Sequence, residues 1–596
     1  MPVVAVSVKR LNQLLTREHP MDDLVYALQQ LGCDVEDTAE MAHYRCPACR
    51  APNDKLSHED PPRRCDYCGH ESEEPFERFG VDRVIRLDLL ADRPDLFDAG
   101  GLARALKGWL GIEQGLPRIS ITDGDIPVAI DPVMSKPGTF RPHIVCALVN
   151  MPPLDQDSLR EIMRLQENLH WGIGRDRKLA SIGVYDMDTL EPPIRYTAVD
   201  PETFTFHPLG MPGIAMSGKR ILEDHPKGVA YAHLMDPYTR YPILIDARGQ
   251  VLAMPPIINS DETKCRLGTT RLFVDVTGTA RDPVVNSLKT LVSALAEIGG
   301  RVETVRMQGP EGEFRTPDMR SRTIDLHFEE AERWTGLTMT RDEFMGYLRK
   351  MRLDVEPAGD VHRVTYPAFR TDIRHEVDLF EDLAIGYGYD RIEPEMVRSL
   401  TIGRARPEEE ISGMVRQAML GLGFHEIMSL NLQSVERHFT RFRLEPGEDH
   451  LVVANPKTIE QKVVRRHLMT GVMETLQKNR RKTVPQKIFE LGNVLLIDPE
   501  AETGVREYRH LAFGIIGPQA GYSETRQALD AVLREIGRKA EYAPAAHPAF
   551  CEGRCADVTG EDGLWARLGE IHPEVLNAFG LAFPVAYCEL RLMRVI

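Results

Sequence analysis

No stretch of the 596 residues approaches the roughly 18 consecutive apolar side chains that mark a membrane-spanning helix. Met1 to Val8 are too short and too poor in charge for a secretory signal. These absences predict a cytoplasmic chain with no membrane partner. An excess of positive charge is also missing. Lys and Arg number 73 against 90 Asp and Glu, a net charge of −17, which excludes a protein that holds nucleic acid by a diffuse basic field; any RNA contact must be local or shared. Low-complexity tracts are absent, as are three common active-site signatures. There is no Gly-x-x-x-x-Gly-Lys-Ser/Thr loop, Gly386-Tyr-Gly388 lacks its third glycine, and His375-Glu376 is followed by Leu379 where a zinc protease carries its second histidine.

What is present is an ordinary globular composition, 42% apolar and 27% charged, in a chain too long for one core. Roughly three to five domains are expected. Of ten cysteines, Cys33, Cys146, Cys265, Cys551, Cys555 and Cys588 are scattered and read as reduced thiols. The other four form Cys46-Pro-Ala-Cys49, fifteen residues, then Cys65-Asp-Tyr-Cys68. Two paired-thiolate turns at this spacing close a tetrahedral S₄ site, and structural Zn²⁺ is the favoured occupant. Four unpaired thiols, or a ligand swap with His43, His58 or His70, are the alternatives.

The acid-rich stretch from Tyr366 to Ile392 is the second concentration of chemistry. With a helix starting near Asp372, capped by Thr371 or Asp372 itself, Asp378, Glu381 and Asp382 fall on one face. Clustered carboxylates suit Mg²⁺, yet acids early in a helix also complement its dipole as a solvated face. A third concentration lies in the helix from Ser158 to His170, whose apolar stripe of Leu159, Ile162 and Met163 continues into Gln166 and His170. Polar groups on a buried stripe need partners, so this is either a satisfied core histidine or the wall of a pocket.

Tyr366-Pro367, Arg370-Thr-Asp-Ile, His375-Glu-x-Asp378-x-x-Glu381-Asp382 and Gly386-Tyr-Gly-Tyr-Asp390-Arg-Ile together resemble the signature of phenylalanyl-tRNA synthetase beta subunits. Asp92-Arg-Pro-Asp95 resembles the Asn-Arg-Pro-Asp pattern of that family's N-terminal module. Gln166-Glu-x-Leu-His170, Gly174-Arg175-Asp-Arg177-Lys178, Ile182-Gly-Val-Tyr-Asp186, Asn259-Ser260-x-x-Thr263 and Asp275-Val-Thr277 resemble the editing domain of the short, archaeal and eukaryotic form. The Cys₄ insertion is not a general feature of the family.

The resemblance implies a multidomain α+β chain. Its expected parts are an N-terminal α+β module over 1–115 with a zinc-ribbon insertion at 44–71, an α+β editing domain over 116–285, and a connecting helix and linker over 286–315. A small helix-turn-helix-like domain with the acidic helix follows over 316–395, its start marked by Gly309-Pro310. A class II synthetase-like antiparallel-sheet core without catalysis completes the chain over 396–596. The implied activity is ATP-dependent attachment of phenylalanine to its tRNA by an alpha₂-beta₂ heterotetramer, with synthesis on the alpha subunit and tRNA as partner. This chain would supply scaffolding and hydrolysis of mischarged tyrosyl-tRNA. Asp372, Asp378, Glu381 and Asp382 are the implied Mg²⁺ ligands. Gln166, His170, Asn259, Ser260 and Thr263 are expected to serve the phenol and a water, with Arg175, Arg177 and Lys178 for the tRNA end. The ATP-clamping arginines of a working class II site are not recognisable, Arg465-Arg466 and Phe489-Glu490 being only echoes. Arg480, Arg481 and Lys482 read as a solvated helix end rather than an RNA contact. A stand-alone tRNA deacylase and a non-enzymatic RNA- or protein-binding scaffold are the competing functions.

Overall fold

The computed structural model describes residues 3–136, 141–236, 238–310, 312–397, 399, 401–561 and 563–592. Two compact units divide the chain, Met1–Met396 and Val397–Ile596. Among the described residues no helix is long and apolar enough to cross a membrane.

The first unit opens with an antiparallel sheet in the order Val3–Ser7, Glu77–Asp88, Asp34–Arg45, Pro52–Leu56. Ser7 ends the first strand and caps the helix Val8–Leu15, its hydroxyl accepting from the Arg10 amide at 3.3 Å, so strand gives way to helix without a loop. The two long strands run past the helices that cover them. Their far ends carry the cysteines, Cys46 and Cys49 in the turn between Asp34–Arg45 and Pro52–Leu56, and Cys65 and Cys68 before Glu77–Asp88.

An eleven-stranded mixed sheet follows. Its middle pairings, of Pro127–Ile130 with Ile194–Val199 and with Arg301–Gly309, are parallel, and one end is antiparallel, with Arg271–Gly278 between His143–Asn150 and the last strand Ala180–Asp186. The connector expected over 286–315 is instead part of this layer. The helix Arg281–Glu297 buries Leu288, Leu291, Val292 and Leu295 against the sheet, each side chain contributing about 1.5–3 kcal/mol. The strand Arg301–Gly309 pairs with both Pro127–Ile130 and His143–Asn150. Gly309-Pro310 is a hairpin turn onto Gly312–Thr316 rather than a domain boundary; a tight turn and a linker use the same residues, and only the pairing partner separates them.

Residues 316–395 contain more strand than expected. Arg322–Leu326, Val361–Tyr366 and Asp354–Ala358 form an antiparallel sheet beside the helices Phe328–Thr335, Arg341–Lys350 and Glu376–Tyr387. The acidic helix starts at Glu376 with His375 as its cap, not at Asp372. The reason is Asp378, whose Oδ2 accepts from the amides of Arg374 and His375, both at 2.7 Å, and so closes the first turn from inside the helix.

The second unit holds a seven-stranded sheet in the order His425–Glu426, Gln486–Ile497, Val505–Ile516, Val585–Arg591, Gly563–Ile571, Phe550–Gly560, Glu541–Pro544, antiparallel except at its first pairing. Along Val505–Ile516, Leu511, Phe513 and Ile515 enter one apolar cluster, while Ala512 and Ile516 enter the other. Period-two alternation thus feeds two cores, with Pro407–Gly421 and Tyr522–Glu535 covering one face and Met469–Lys478 the other. Arg465 is buried and donates from Nη1 to Glu490 Oε1 at 2.7 Å, and Arg466 pairs with Asp449 at 2.6 Å. Arg480, Arg481 and Lys482 are exposed beyond the helix Met469–Lys478.

Candidate functional site

A cavity of about 540 Å³ lies beside the helix Gln156–Trp171. Asp155 starts this helix by accepting from the Ser158 amide at 2.8 Å. Its inner face brings Gln166, Glu167 and His170 to the cavity. The chain then turns through Arg175, Asp176 and Arg177, all left-handed at φ 49°, 54° and 64°, at a cost of about 1 kcal/mol or more each. That turn separates cations adjacent in sequence. Arg177 is buried in the cavity wall, whereas Arg175 lines a different cleft and Lys178 is exposed.

Arg177 Nη2 donates to Glu167 Oε1 at 2.8 Å and Nη1 to the carbonyl of Ile257 at 3.0 Å, and its guanidinium stacks 4.6 Å from the Tyr231 ring. This arginine is a structural clamp that joins the helix to the Pro255–Asn259 segment, not a free contact for a tRNA end. Glu167 is held well below the usual carboxylate range, because Arg177 and His170 outweigh the burial that raises it. His170 Nε2 accepts from the Ile182 amide at 2.8 Å, which assigns the ring proton of the neutral form to Nδ1, 3.5 Å from Glu167 Oε1. Burial and the Arg177 charge push its pKa down, so His170 is neutral at physiological pH. Gln166 Nε2 donates to the Ile182 carbonyl at 2.8 Å.

Asn259 lines the same cavity from the opposite side, so two segments about ninety residues apart in sequence share one pocket. Ser260 and Thr263 do not line it. Both are fully buried, with the Ser260 hydroxyl 3.3 Å from the Glu262 amide and the Thr263 backbone carbonyl accepting from Asp186.

The reading of the sequence overlooked the pair Tyr185 and Asp275. Tyr185 donates from its hydroxyl to Asp275 Oδ1 at 2.6 Å, and both side chains line the cavity. Burial raises Asp275 to about 7 against the opposing pull of Tyr185 and Arg141. A methyl at Gly183, which faces Asp275 across the ladder, would sit 2.0 Å from the Tyr185 oxygen and 2.3 Å from Asp275 Oδ1. Glycine there makes room for the pair. The sequence signal was an aspartate inside the apolar run Leu272-Phe-Val-Asp275-Val, where a carboxylate has no place without a partner.

The four cysteines converge. Among the described residues they are the one group of ligating side chains gathered closely enough for a metal. A tetrahedron of sulfurs about 2.3 Å from Zn²⁺ has edges of roughly 3.8 Å, and Cys46 Sγ lies 3.9 Å from Cys68 Sγ and Cys49 Sγ 3.6 Å from Cys65 Sγ. The donor set fits Zn²⁺ with no position left for a substrate.

The acidic residues do not converge in this way. Asp372, Asp378, Glu381 and Asp382 line one cleft of about 840 Å³, but Arg370 lines it with them and pairs with two of the four. Its Nη2 reaches Asp372 at 2.7 Å and Asp382 at 2.8 Å. Burial tends to raise both acids; Asp372, gripped along its whole edge by Arg370 and near Arg93, ends low, while Asp382, deeper and held by one contact, ends high. Asp378 is committed to the helix cap. Four ligands around a single Mg²⁺ do not fit this arrangement; only Glu381 stays exposed, its pKa raised by burial and by the charges of Asp382 and Asp92.

Comparison with known proteins gives a consistent set of likenesses. Residues 392–592 match the family model described as the phenylalanyl tRNA synthetase beta chain CLM domain, and 324–389 match the tRNA synthetase B5 domain. A phenylalanine–tRNA ligase beta subunit of Methanococcoides burtonii is 38% identical over 85% of this chain and 92% of its own length. That of Methanosphaera stadtmanae is 32% identical over 100% of both. Among solved structures, an N-terminal fragment of the phenylalanyl-tRNA synthetase beta-subunit from Pyrococcus horikoshii is similar with a TM-score of 0.55 and 32% identity, over 65% of this chain and 99% of that one.

Proposed function

The chain belongs to the phenylalanine–tRNA ligase beta-subunit family, and from that premise we propose that it is the non-synthetic partner in an alpha₂-beta₂ complex that joins phenylalanine to its tRNA using ATP, and that its cavity hydrolyses tyrosyl-tRNA made in error. Tyrosine differs from phenylalanine by one hydroxyl. An apolar synthetic pocket rejects an added hydroxyl by only about a hundredfold, whereas a second site that hydrogen-bonds it selects the wrong product for destruction. The observation that carries this reading is the cavity itself, with Gln166, His170 and Asn259 on its wall and the protonatable pair Tyr185 and Asp275 between them.

In this proposal a water gives its proton to Asp275 as its oxygen attacks the ester carbonyl carbon, and Asp275 returns that proton to the terminal ribose oxygen as the bond from that oxygen to the carbonyl carbon breaks. A carboxyl with a pKa near 7 is matched to that exchange at physiological pH. Glu167, locked by Arg177, orients His170 rather than exchanging protons. With Arg177 enclosed, the exposed Arg50 and Arg266 on the cavity wall are the cations available to the tRNA end. Zn²⁺ on the four cysteines would supply folding of the insertion and no chemistry.

Deacylation of preformed tyrosyl-tRNA bearing the phenylalanine anticodon tests the reading. The alpha-beta complex is expected to hydrolyse it and to spare phenylalanyl-tRNA, with His170→Ala and Asn259→Ala slower by tenfold or more and aminoacylation intact. A wild-type complex that leaves tyrosyl-tRNA untouched would remove the assignment. The isolated chain is expected to show no phenylalanine-dependent ATP–pyrophosphate exchange, since Arg465 and Arg466 are committed to Glu490 and Asp449; exchange by protein freed of the alpha chain would overturn that.

A further inference from the structure

We infer that the four-cysteine module is itself a wall of the substrate cavity, so that metal binding there sets the pocket's shape and its hold on the esterified amino acid. The identity of the ligand rests on the editing reading above; the coupling of metal to cavity does not.

The module enters the cavity directly. Arg45, Cys49, Arg50 and Tyr67, all within or beside the two Cys-x-x-Cys turns, line it opposite the strand that carries Asp275. Tyr67 packs with Met163 of the helix Gln156–Trp171 and with Leu209 against the buried cysteines.

Two close approaches press the second turn onto the cavity domain. Gly210, at φ +88°, leaves room for Cys68, for a Cβ there would stand 2.7 Å from the Cys68 Cβ and 2.9 Å from its sulfur. Gly69, at φ +76°, admits Pro226, whose Cβ a side chain would meet at 2.4 Å. The contact continues to the cavity wall. Leu209 donates from its amide to the carbonyl of Asn259 at 2.9 Å, and Gly210 to Asp261 Oδ1 at 3.1 Å.

A second route runs through the strand Pro52–Leu56. Buried Asn53 donates to the Cys65 sulfur at 3.6 Å and accepts from the Asp66 amide at 2.9 Å. Its neighbour Asp54 pairs with Arg164 on the helix at 2.7 Å, and Arg45 Nη2 donates to Gln156 Oε1 at 2.8 Å on the first turn of that same helix. The helix that presents Gln166 and His170 is therefore tied to the metal ligands through Arg45 on one strand and Asn53 and Asp54 on the other, all at the cysteine end of the strand pair.

Apart from its sulfurs, the module's own core is Ala42, Tyr44, Ala51 and Phe76. So small an apolar cluster does not hold two turns in place without a metal. Loss of the ion releases Tyr67 and the Leu209–Gly210 turn, and the cavity opens on that side. Tyr67 is the residue that contacts the amino-acid end, and exposed Arg50 at the rim meets a phosphate of the nucleic acid.

The experiment uses the assembled complex. Cys65→Ser, or chelation of the wild type, is expected to lower zinc content, to weaken binding of the non-hydrolysable 3′-tyrosylamino-3′-deoxyadenosine by tenfold or more in calorimetry, and to slow tyrosyl-tRNA deacylation while phenylalanine attachment on the alpha chain continues. Tyr67→Ala keeps all four sulfurs and is expected to weaken the analogue at full zinc content; Arg50→Ala is expected to raise KM for tyrosyl-tRNA without changing analogue affinity. Where the wild type binds the analogue, metal-free complex that binds it equally well, or Tyr67→Ala with unaltered affinity, overturns the proposal. Hydrogen exchange keeps the outcome separate from the editing reading. Faster exchange over 206–211 and Gln156–Trp171 on metal removal supports the wall even if the wild type ignores tyrosine, and unchanged exchange there defeats it.

Discussion

Asp275→Asn is expected to slow hydrolysis of tyrosyl-tRNA by the complex by about 10²–10⁴-fold, the range for loss of a positioned general base, while leaving the fold in place. Asparagine preserves the shape and an oxygen for the Tyr185 hydroxyl. The wild-type rate is expected to rise about tenfold per pH unit up to about 7 and to level above it, as the buried carboxyl ionises. Stability provides a second readout. In the unfolded chain the carboxyl titrates near its ordinary value of about 3.9. Between that value and about 7 the folded protein holds a proton that the unfolded chain has released, so wild-type stability falls as pH rises through this window. The loss is complete above it and is of order 4 kcal/mol at most. Asp275→Asn is free of that cost, so it is expected to gain on the wild type at pH 8 and to match it near pH 4. Urea unfolding across this range checks the sign, and parallel curves for the two proteins would refute a buried carboxyl with a raised pKa. A variant with unchanged deacylation would assign the base elsewhere.

Arg370→Met carries the largest expected effect on stability. The guanidinium is fully enclosed and serves two carboxylates, Asp372 and Asp382, the latter almost completely buried. Removing one partner of a buried ion pair typically costs about 3–5 kcal/mol, because the remaining charge is left without compensation. Arg93 lies close enough to lower the pKa of both Asp372 and Asp382 and so softens part of the loss. Arg370→Met is therefore expected to unfold the first unit at markedly lower denaturant concentration, and Arg370→Met with Asp382→Leu to recover much of the difference, since an apolar replacement of a whole buried pair is often neutral. A single variant within about 0.5 kcal/mol of wild type, the ordinary range for surface changes, would show that the network does not hold this unit together. Aminoacylation by the complex is expected to fall with the single variant and to return with the double one if the cleft acts through its shape.

Local patterns were legible wherever the physics was short-range. Two Cys-x-x-Cys turns bring their sulfurs together because each turn alone orients two thiols, and the four indeed lie within reach of one ion. The apolar stripe of Leu159, Ile162 and Met163 marked one face of a helix, and Gln166 and His170 continue along the same side at helical spacing. The antiparallel sheet of the second unit was expected from the family resemblance rather than from local pattern, and its strands pair antiparallel except at the first pairing.

The remaining features depended on partners distant in sequence or on backbone conformations that composition does not reveal. Arg175, Arg177 and Lys178 read as one cationic group, and a left-handed turn sends them to three different surroundings. The acidic run read as a ligand set, yet Arg370 spans two of its members and Asp378 caps the helix. Asp275 gained a partner only when strand register placed it beside Tyr185 and opposite Gly183. Residue identity and spacing by themselves determined the four sulfurs that can share one metal ion and which family the chain resembles. The tertiary structure alone decided which of those side chains share a cavity, because burial, register and the approach of one backbone to another set the partner of each charge.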